Sequence, residues 1–326
     1  MGNVRFTFRY LRRRRLGGRG EPGPPAPFVV GVGRSGTTLL RLMLDAHPEM
    51  AIPPETHFIP AFIQRSGQPW FNAARAASAI VEDPHRRWDD FALEPGDLLA
   101  RMKAIESFNT SDAVRAFYDL YAERQGKPRW GDKTPDYVKR MRRIKRTLPE
   151  AHFIHVIRDG RDVALSTNKR IVQRGHRDPI PAGIAARRWR SRILKARGDS
   201  PYVGDYLEVR YEDLVTDTEP TLRRVCEFVE LEFDPAMLRY HERAEQRLSE
   251  MARAMPARDG RPAREAGERL KAHQMATKPP SPDRISVWRE EMEDDYRGLY
   301  EQFAGDLLAE LGYEVDQADR RDAATS

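Results

Sequence analysis

Pro27-Phe-Val-Val-Gly-Val-Gly-Arg-Ser-Gly-Thr-Thr-Leu-Leu-Arg-Leu-Met-Leu-Asp-Ala-His-Pro48 is the stretch on which the fold turns. The apolar, β-branched and aromatic run from Phe28 to Val32 predicts a strand. It passes through Gly31, Gly33 and Gly36 into a helix carrying leucines and Met43, which Pro48 stops. Glycines at those positions let the backbone turn sharply and come close to a ligand. The N–H groups of Ser35, Gly36, Thr37 and Thr38 then open the helix, where unpaired donors and the macrodipole favour an anion. The spacing Gly31-x-x-x-x-Gly36 is that of a P-loop, yet Thr37 stands where an NTPase has its lysine. Arg34 brings a positive charge from inside the loop instead.

Working outward, the same alternation returns. His152 to Ile157 reads as an apolar strand, followed by Arg158-Asp-Gly-Arg-Asp162 and a helix from Val163. Tyr206 to Arg210 reads as another strand, ahead of a helix over Thr218 to Leu231 with Pro220 in its first turn. Short strands are expected at Met50 to Pro53 and Arg129 to Gly131. Strands alternating with helices predict an α/β fold, P-loop-like and three-layered, with a mainly parallel central sheet of about five strands. Helical patterning over 70–127 predicts an insertion covering the sheet, and Ile285 to Tyr313 predicts a C-terminal helix. The Arg-, Glu- and Ala-rich segment 242–273, broken by Pro256, Gly260, Pro262 and Gly267, reads as a mobile or partly helical segment and a candidate lid. The folded domain is expected to span 26–315, with a polar tail over 316–326.

Charge narrows the function classes. The 326 residues carry a net +6, but residues 1 to 20 hold seven arginines and no acid, so the rest sums to −1. The surplus sits in a tail, residues 1–25, whose Gly- and Pro-rich end cannot bury enough apolar surface to fold alone. That placement argues against a nucleic-acid partner for the body, and the tail reads as disordered and solvated, with a weak membrane-surface contact or a nucleic-acid arm as the alternative. No apolar run approaches a membrane span. A lone Cys226 excludes a disulfide scaffold and a cysteine-rich zinc site, and with no signal peptide it predicts a cytoplasmic, reducing location.

The stretch from Gly31 to Pro48 resembles the 5′-phosphosulfate-binding loop of the sulfotransferases that use 3′-phosphoadenosine 5′-phosphosulfate, PAPS. It is most like the tyrosylprotein sulfotransferase branch and its bacterial relatives. The resemblance runs with gaps from about Phe28 to Tyr313. It implies PAPS as donor, 3′-phosphoadenosine 5′-phosphate as product and a hydroxyl-bearing acceptor: carbohydrate, lipid, small phenol or peptide. Arg34, Ser35, Gly36, Thr37 and Thr38 correspond to the phosphosulfate loop. Arg158 and Ser166, eight residues apart, match the signature that binds the 3′-phosphate. The residues agree independently, since Arg158 emerges at the carboxyl end of a buried strand, and Arg170 shares a helical face with Ser166.

Glu55 in Pro53-Pro-Glu-Thr-His57 lies where the branch carries its catalytic glutamate, a base for the acceptor hydroxyl. Pro54 and His57 depart from the branch, which has an acid and an arginine there. Lys133 matches a lysine that steadies the bridging oxygen as the leaving phosphate gains charge. Tyr211 either contacts the nucleotide or caps the core. Lys278 resembles the lysine of a donor-closing loop, whose serine falls near Ala272 or His273. The lysine before the tryptophan becomes Val287, with Arg284 or Arg289 as its substitute. Catalysis thus rests on Glu55, Lys133 and Arg34, with no metal expected. A P-loop kinase or NTPase, and a non-catalytic nucleotide-binding protein, are the alternatives.

Overall fold

The computed structural model describes residues 23–82, 88–173, 178–249 and 274–315. Most of the expected tail, residues 1–22, lies outside them, as do 250–273 of the expected lid and 316–326. Pro25 is already part of the body, because its carbonyl accepts a hydrogen bond from Arg129.

Six strands form: β1 Ala26–Gly31, β2 Met50–Ala51, β3 Arg129–Trp130, β4 Asp132–Lys133, β5 Ala151–Ile157 and β6 Tyr206–Arg210. One sheet has the order β4-β1-β5-β6 and a smaller one pairs β2 with β3, every pairing being parallel. Only Gly131 separates β3 from β4, so 129–133 is one extended segment. Its first half pairs with Met50 and Ala51 and its second with Phe28 and Val29. The expectation of about five strands is met by five chain segments side by side.

Thirteen α-helices surround the strands among the described residues. They are α1 Thr37–Ala46, α2 Ile59–Arg65, α3 Ala73–Val81, α4 Pro95–Lys103, α5 Thr110–Arg124, α6 Met141–Thr147 and α7 Gly160–Gln173. Then follow α8 Ala182–Val203, α9 Tyr211–Thr216, α10 Thr218–Phe228, α11 His241–Ser249, α12 Trp288–Glu291 and α13 Asp294–Glu310. The two-residue period of the strands sorts their side chains between two cores. Phe28, Val30 and Phe153 pack with Phe58, Phe117, Tyr118 and Tyr137 on one face. Val29, Ile154, Val156 and Val209 pack with Leu40, Met43 and Leu44 of α1 and with Leu214 and Val225 on the other. Burial on both faces explains why the strands read as continuous apolar runs.

The expected single C-terminal helix is instead two. Met292 and Glu293 are extended between α12 and α13, and the segment entering α12 is held by Asp162, which accepts from the backbone N–H groups of Ser286 at 3.0 Å and Trp288 at 2.9 Å. A side chain 126 residues away therefore fixes where α12 begins, at Trp288 rather than Ile285.

His155 is fully buried in β5, its Nδ1 2.6 Å from the Tyr206 hydroxyl. Burial lowers its pKa from 6.5 to about 4. Between those values the unfolded chain binds a proton that the folded chain refuses, so stability falls as pH drops through that window. The full shift corresponds to about 3 kcal/mol. Urea unfolding at pH 7 and pH 4.5 is expected to show this loss, and His155→Leu to lack that part of the slope.

Candidate active site

Every strand of the main sheet delivers a candidate residue at its carboxyl end, the end at which open α/β sheets bind ligands. β1 runs into the glycine loop, β4 ends on Lys133, β5 is followed by Arg158, and β6 by Tyr211. The small strand β2 leads within four residues to Glu55.

The loop takes its shape from two glycines. Gly31 and Gly36 have φ of 153° and 94°, in the region that excludes most side chains. A Cβ on Gly36 would lie 2.4 Å from the Tyr211 ring, and one on Gly31 would lie 2.6 Å from the Val156 carbonyl oxygen. Arg34 also has positive φ, 76°, which directs its side chain to Ser166; Nε donates to the hydroxyl at 3.0 Å. The first intrahelical bond of α1 runs from the Leu40 N–H to the Gly36 carbonyl, and Gly36 makes no side-chain cap. The N–H groups of residues 36–39 therefore face out of the helix start. The Ser35 hydroxyl is fully buried without a partner among the described residues. A buried hydroxyl beside a row of amide donors fits an oxyanion.

Glu55 and Lys133 meet at this loop. Glu55 Oε1 is 2.7 Å from Lys133 Nζ, which also lies 3.5 Å from the Thr38 hydroxyl at the start of α1. Lys133 is buried and Glu55 partly open, at 38%. The other carboxylate oxygen, Oε2, is 3.0 Å from His57 Nε2. Burial would raise the Glu55 pKa, but the Lys133 charge and the His57 hydrogen bond win and hold it well below the usual carboxylate range. Burial lowers that of Lys133 against the pull of Glu55. The carboxylate stays ionised, able to take a proton, and the ammonium points at the anion loop.

Two frames fix the pair, and neither was legible in the sequence. Thr56 and Asp132, next in the chain to Glu55 and Lys133, are hydrogen-bonded to each other at 2.8 Å. Tyr118 also donates to Asp132 at 2.8 Å, and the Thr56 N–H bonds the Thr134 hydroxyl at 3.1 Å. Burial raises the Asp132 pKa against these donors. On α1, Asp45 accepts from the Ile52 N–H at 2.8 Å while Arg41 donates to the Ile52 carbonyl at 3.0 Å. That clamp aligns the segment leading to Glu55. Arg41 and Asp45, polar residues four apart in an otherwise apolar helix, were the available signal.

Arg158 stacks on the Tyr211 ring, 4.5 Å from guanidinium carbon to ring centroid, and is 3.3 Å from Asp162. Its Nε is buried without a partner among the described residues. The neighbouring Arg161 is the structural member of the turn, bonded to Asp159 and Glu301 and stacked on Trp288. Tyr211 thus touches both Gly36 and Arg158, and burial raises its pKa. Arg170, on α7 with Ser166, is half-buried.

No side-chain contact joins Lys278 to this group among the described residues. Its side chain is exposed, and the segment is anchored through its carbonyl, which accepts from the Tyr240 hydroxyl. Arg284 stands nearer: Arg158 donates to its carbonyl, and its charge acts on Tyr211. Arg289 turns away to Trp288 and Glu314. Ala272 and His273 lie outside the described residues.

A profile of the Sulfotransferase family matches residues 25–235, nearly two thirds of the sequence. The chain belongs to the sulfotransferase family. Protein-tyrosine sulfotransferase A of Caenorhabditis elegans is 31% identical over 220 residues, 67% of this chain and 53% of the relative. The chain spans about half the length of the curated relatives it matches. Two solved structures share the fold. The sulfotransferase domain of the Synechococcus PCC 7002 olefin synthase has a TM-score of 0.54 at 23% identity, covering 91% of this chain and 98% of that one. The sulfotransferase domain of the curacin biosynthetic pathway has a TM-score of 0.56 at 18% identity, covering 91% and 100%.

The expected cytoplasmic location is corrected by these relatives, since protein-tyrosine sulfotransferases are Golgi membrane enzymes. The inference from a single cysteine fails for a physical reason. Cys226 is buried and its thiol is pushed up to about 11, so the fold is indifferent to the redox poise around it. No helix among the described residues is long and apolar enough to cross a membrane.

Proposed function

We propose that the protein transfers a sulfuryl group from PAPS to an acceptor hydroxyl, with Glu55 as general base. The observation that carries this reading is the Glu55–Lys133 pair, 2.7 Å apart and 3.5 Å from the first turn of α1. A base and a cation are thereby held together at the mouth of an anion loop.

The loop amides, the Ser35 hydroxyl, Thr37, Thr38 and Arg34 would hold the phosphosulfate. Arg158, Ser166 and Arg170 would hold the 3′-phosphate, with Tyr211 packed between the two sites. The donor supplies an activated sulfuryl group; what remains for the protein is placement and charge. Glu55 accepts the acceptor proton as the hydroxyl attacks. Lys133 would face the oxygen that gains charge as the sulfur–oxygen bond breaks, and Arg34, whose side chain reaches Ser166, would add positive charge between the two phosphate sites. Lys278, whose side chain is exposed, is replaced in this reading by Arg284. The acceptor is a hydroxyl compound, tyrosine in a peptide being the substrate class named for the relatives. His57, occupied with Glu55, stands where the tyrosylprotein branch has an arginine, so the acceptor site differs there.

Labelled PAPS incubated with the full chain and a cell extract, followed by mass spectrometry for products gaining a sulfuryl group, tests the reading. Transfer is expected to persist in EDTA. A P-loop kinase needs Mg²⁺, so abolition by EDTA would move the assignment to that class, and donor binding without product would move it to a non-catalytic one.

A further inference from the structure

Outside the active site the charge of the body is strongly segregated. Residues 139–146 and 184–197 together hold twelve lysines and arginines and no acid. Residues 21–326 sum to −1, so without these twelve the remainder carries −13. The two segments are neighbours in space: Arg142 stacks on Tyr202 at 3.7 Å, and Lys139, Arg140, Arg188, Arg192 and Lys195 line one groove of about 530 Å³. Six of the twelve are ion-paired: Lys139 and Arg192 with Asp136, Lys145 with Asp205, Arg190 with Asp306, Lys195 with Asp199, and Arg197 with Glu208 and Glu310. Exposed Arg140, Arg142, Arg143, Arg146 and Arg188 have no carboxylate partner among the described residues.

Apolar side chains lie among these cations. Ile184, Leu194 and Tyr202 are exposed at 44%, 43% and 65%, and make up half of the exposed large apolar residues of the described chain. At 100° per residue, Ile184, Arg188, Ser191, Lys195 and Tyr202 fall on one stripe of α8, with Leu194 along its edge. The stripe is about 27 Å long on one helix, with Pro201 just before its last member. A solvated face would carry cations alone, and a nucleic-acid groove would gain little from Ile184 or Leu194. Guanidinium groups mixed with aliphatic and aromatic side chains along a helix are what an interfacial helix presents to anionic headgroups and the acyl boundary beneath them.

We propose that the α6–α8 face docks on an anionic lipid bilayer. The arginines draw the negatively charged leaflet, and Ile184, Leu194 and Tyr202 enter the interfacial layer. The seven arginines of residues 1–20 give the same chain a second basic element that the same anionic leaflet would attract. The face is separate from the candidate active site, so this inference stands whether or not the sulfuryl-transfer reading does.

Co-sedimentation of the full chain with vesicles of phosphatidylcholine alone, or with 30% phosphatidylserine, tests it. Binding is expected only to the anionic vesicles. Arg143→Glu with Arg188→Glu should reduce the partition coefficient by at least about tenfold. Leu194→Ser with Tyr202→Ser should reduce it several-fold with the salt dependence unchanged. Both double variants keep the tail, so its contribution cancels, and both should retain PAP affinity, which confirms folding. No binding to anionic vesicles, or binding unchanged in the arginine pair, overturns the proposal. A loss confined to the arginine pair, with the Leu194 and Tyr202 changes silent, also overturns it and marks a site for soluble polyanions.

Discussion

Replacing Glu55 by glutamine is expected to lower turnover by about 10²-fold or more, with the affinity for PAP changed by no more than a few-fold. Glutamine keeps the size of the side chain and an oxygen to accept from Lys133, so the site should stay assembled. What it loses is the ability to take a proton. The low pKa of Glu55 in the structure bears on how that proton is taken. A carboxylate bonded at both oxygens, to Lys133 and to His57, is ionised but a weak base. Lys133 faces the anion loop as well as Glu55, so an anion held at the loop competes for the ammonium and leaves the carboxylate more basic. Stopped-flow measurement of single turnovers beside equilibrium titration with PAP separates the two effects. Wild-type turnover in the glutamine variant would remove Glu55 from the mechanism.

Lys133→Met should be at least as damaging, lowering kcat by about 10² to 10³-fold, the range seen when a preorganised group facing developing charge is removed. Methionine fills the buried space of the aliphatic stem, so the fold should survive. The sign of a second effect is fixed by the ion pair. With Lys133 present, the Glu55 pKa lies below its unfolded value of 4.5, and its contribution to stability is present above that value and lost as pH falls through the folded pKa. Without Lys133 the carboxyl titrates closer to its ordinary value, and that acid-dependent part of the stability disappears. The contribution is modest because Glu55 is partly open to solvent. The variant should therefore lose most of its activity at neutral pH while its unfolding midpoint becomes less sensitive to acid. Retained turnover would assign the neutralising role to Arg34 alone.

Much of this arrangement was readable from local chemistry. The strand, glycine loop and helix of Phe28 to Pro48 could hardly form anything else, because only glycine tolerates the backbone at 31 and 36. Arg158 was legible because a charged residue directly after an apolar strand must leave the sheet at its end. Lys278 is less legible for the opposite reason: its surroundings are loop, where sequence spacing carries little geometric information. The start of the C-terminal helix is not legible because nothing near Ile285 announces that Asp162 captures the N–H groups of Ser286 and Trp288.

The sequence by itself determined the α/β class, the glycine loop between strand and helix and the identity of the charged residues at the strand ends, since each follows from chemistry within a few neighbouring positions. Only the tertiary structure decided that Glu55 pairs with Lys133, 78 residues away, that Arg41 and Asp45 clamp the backbone at Ile52, and that Arg284 rather than Lys278 or Arg289 stands by Arg158. These are contacts across strands and helices. Their energies depend on burial and on which partner is within reach, and both exist only once the sheet has brought distant segments side by side.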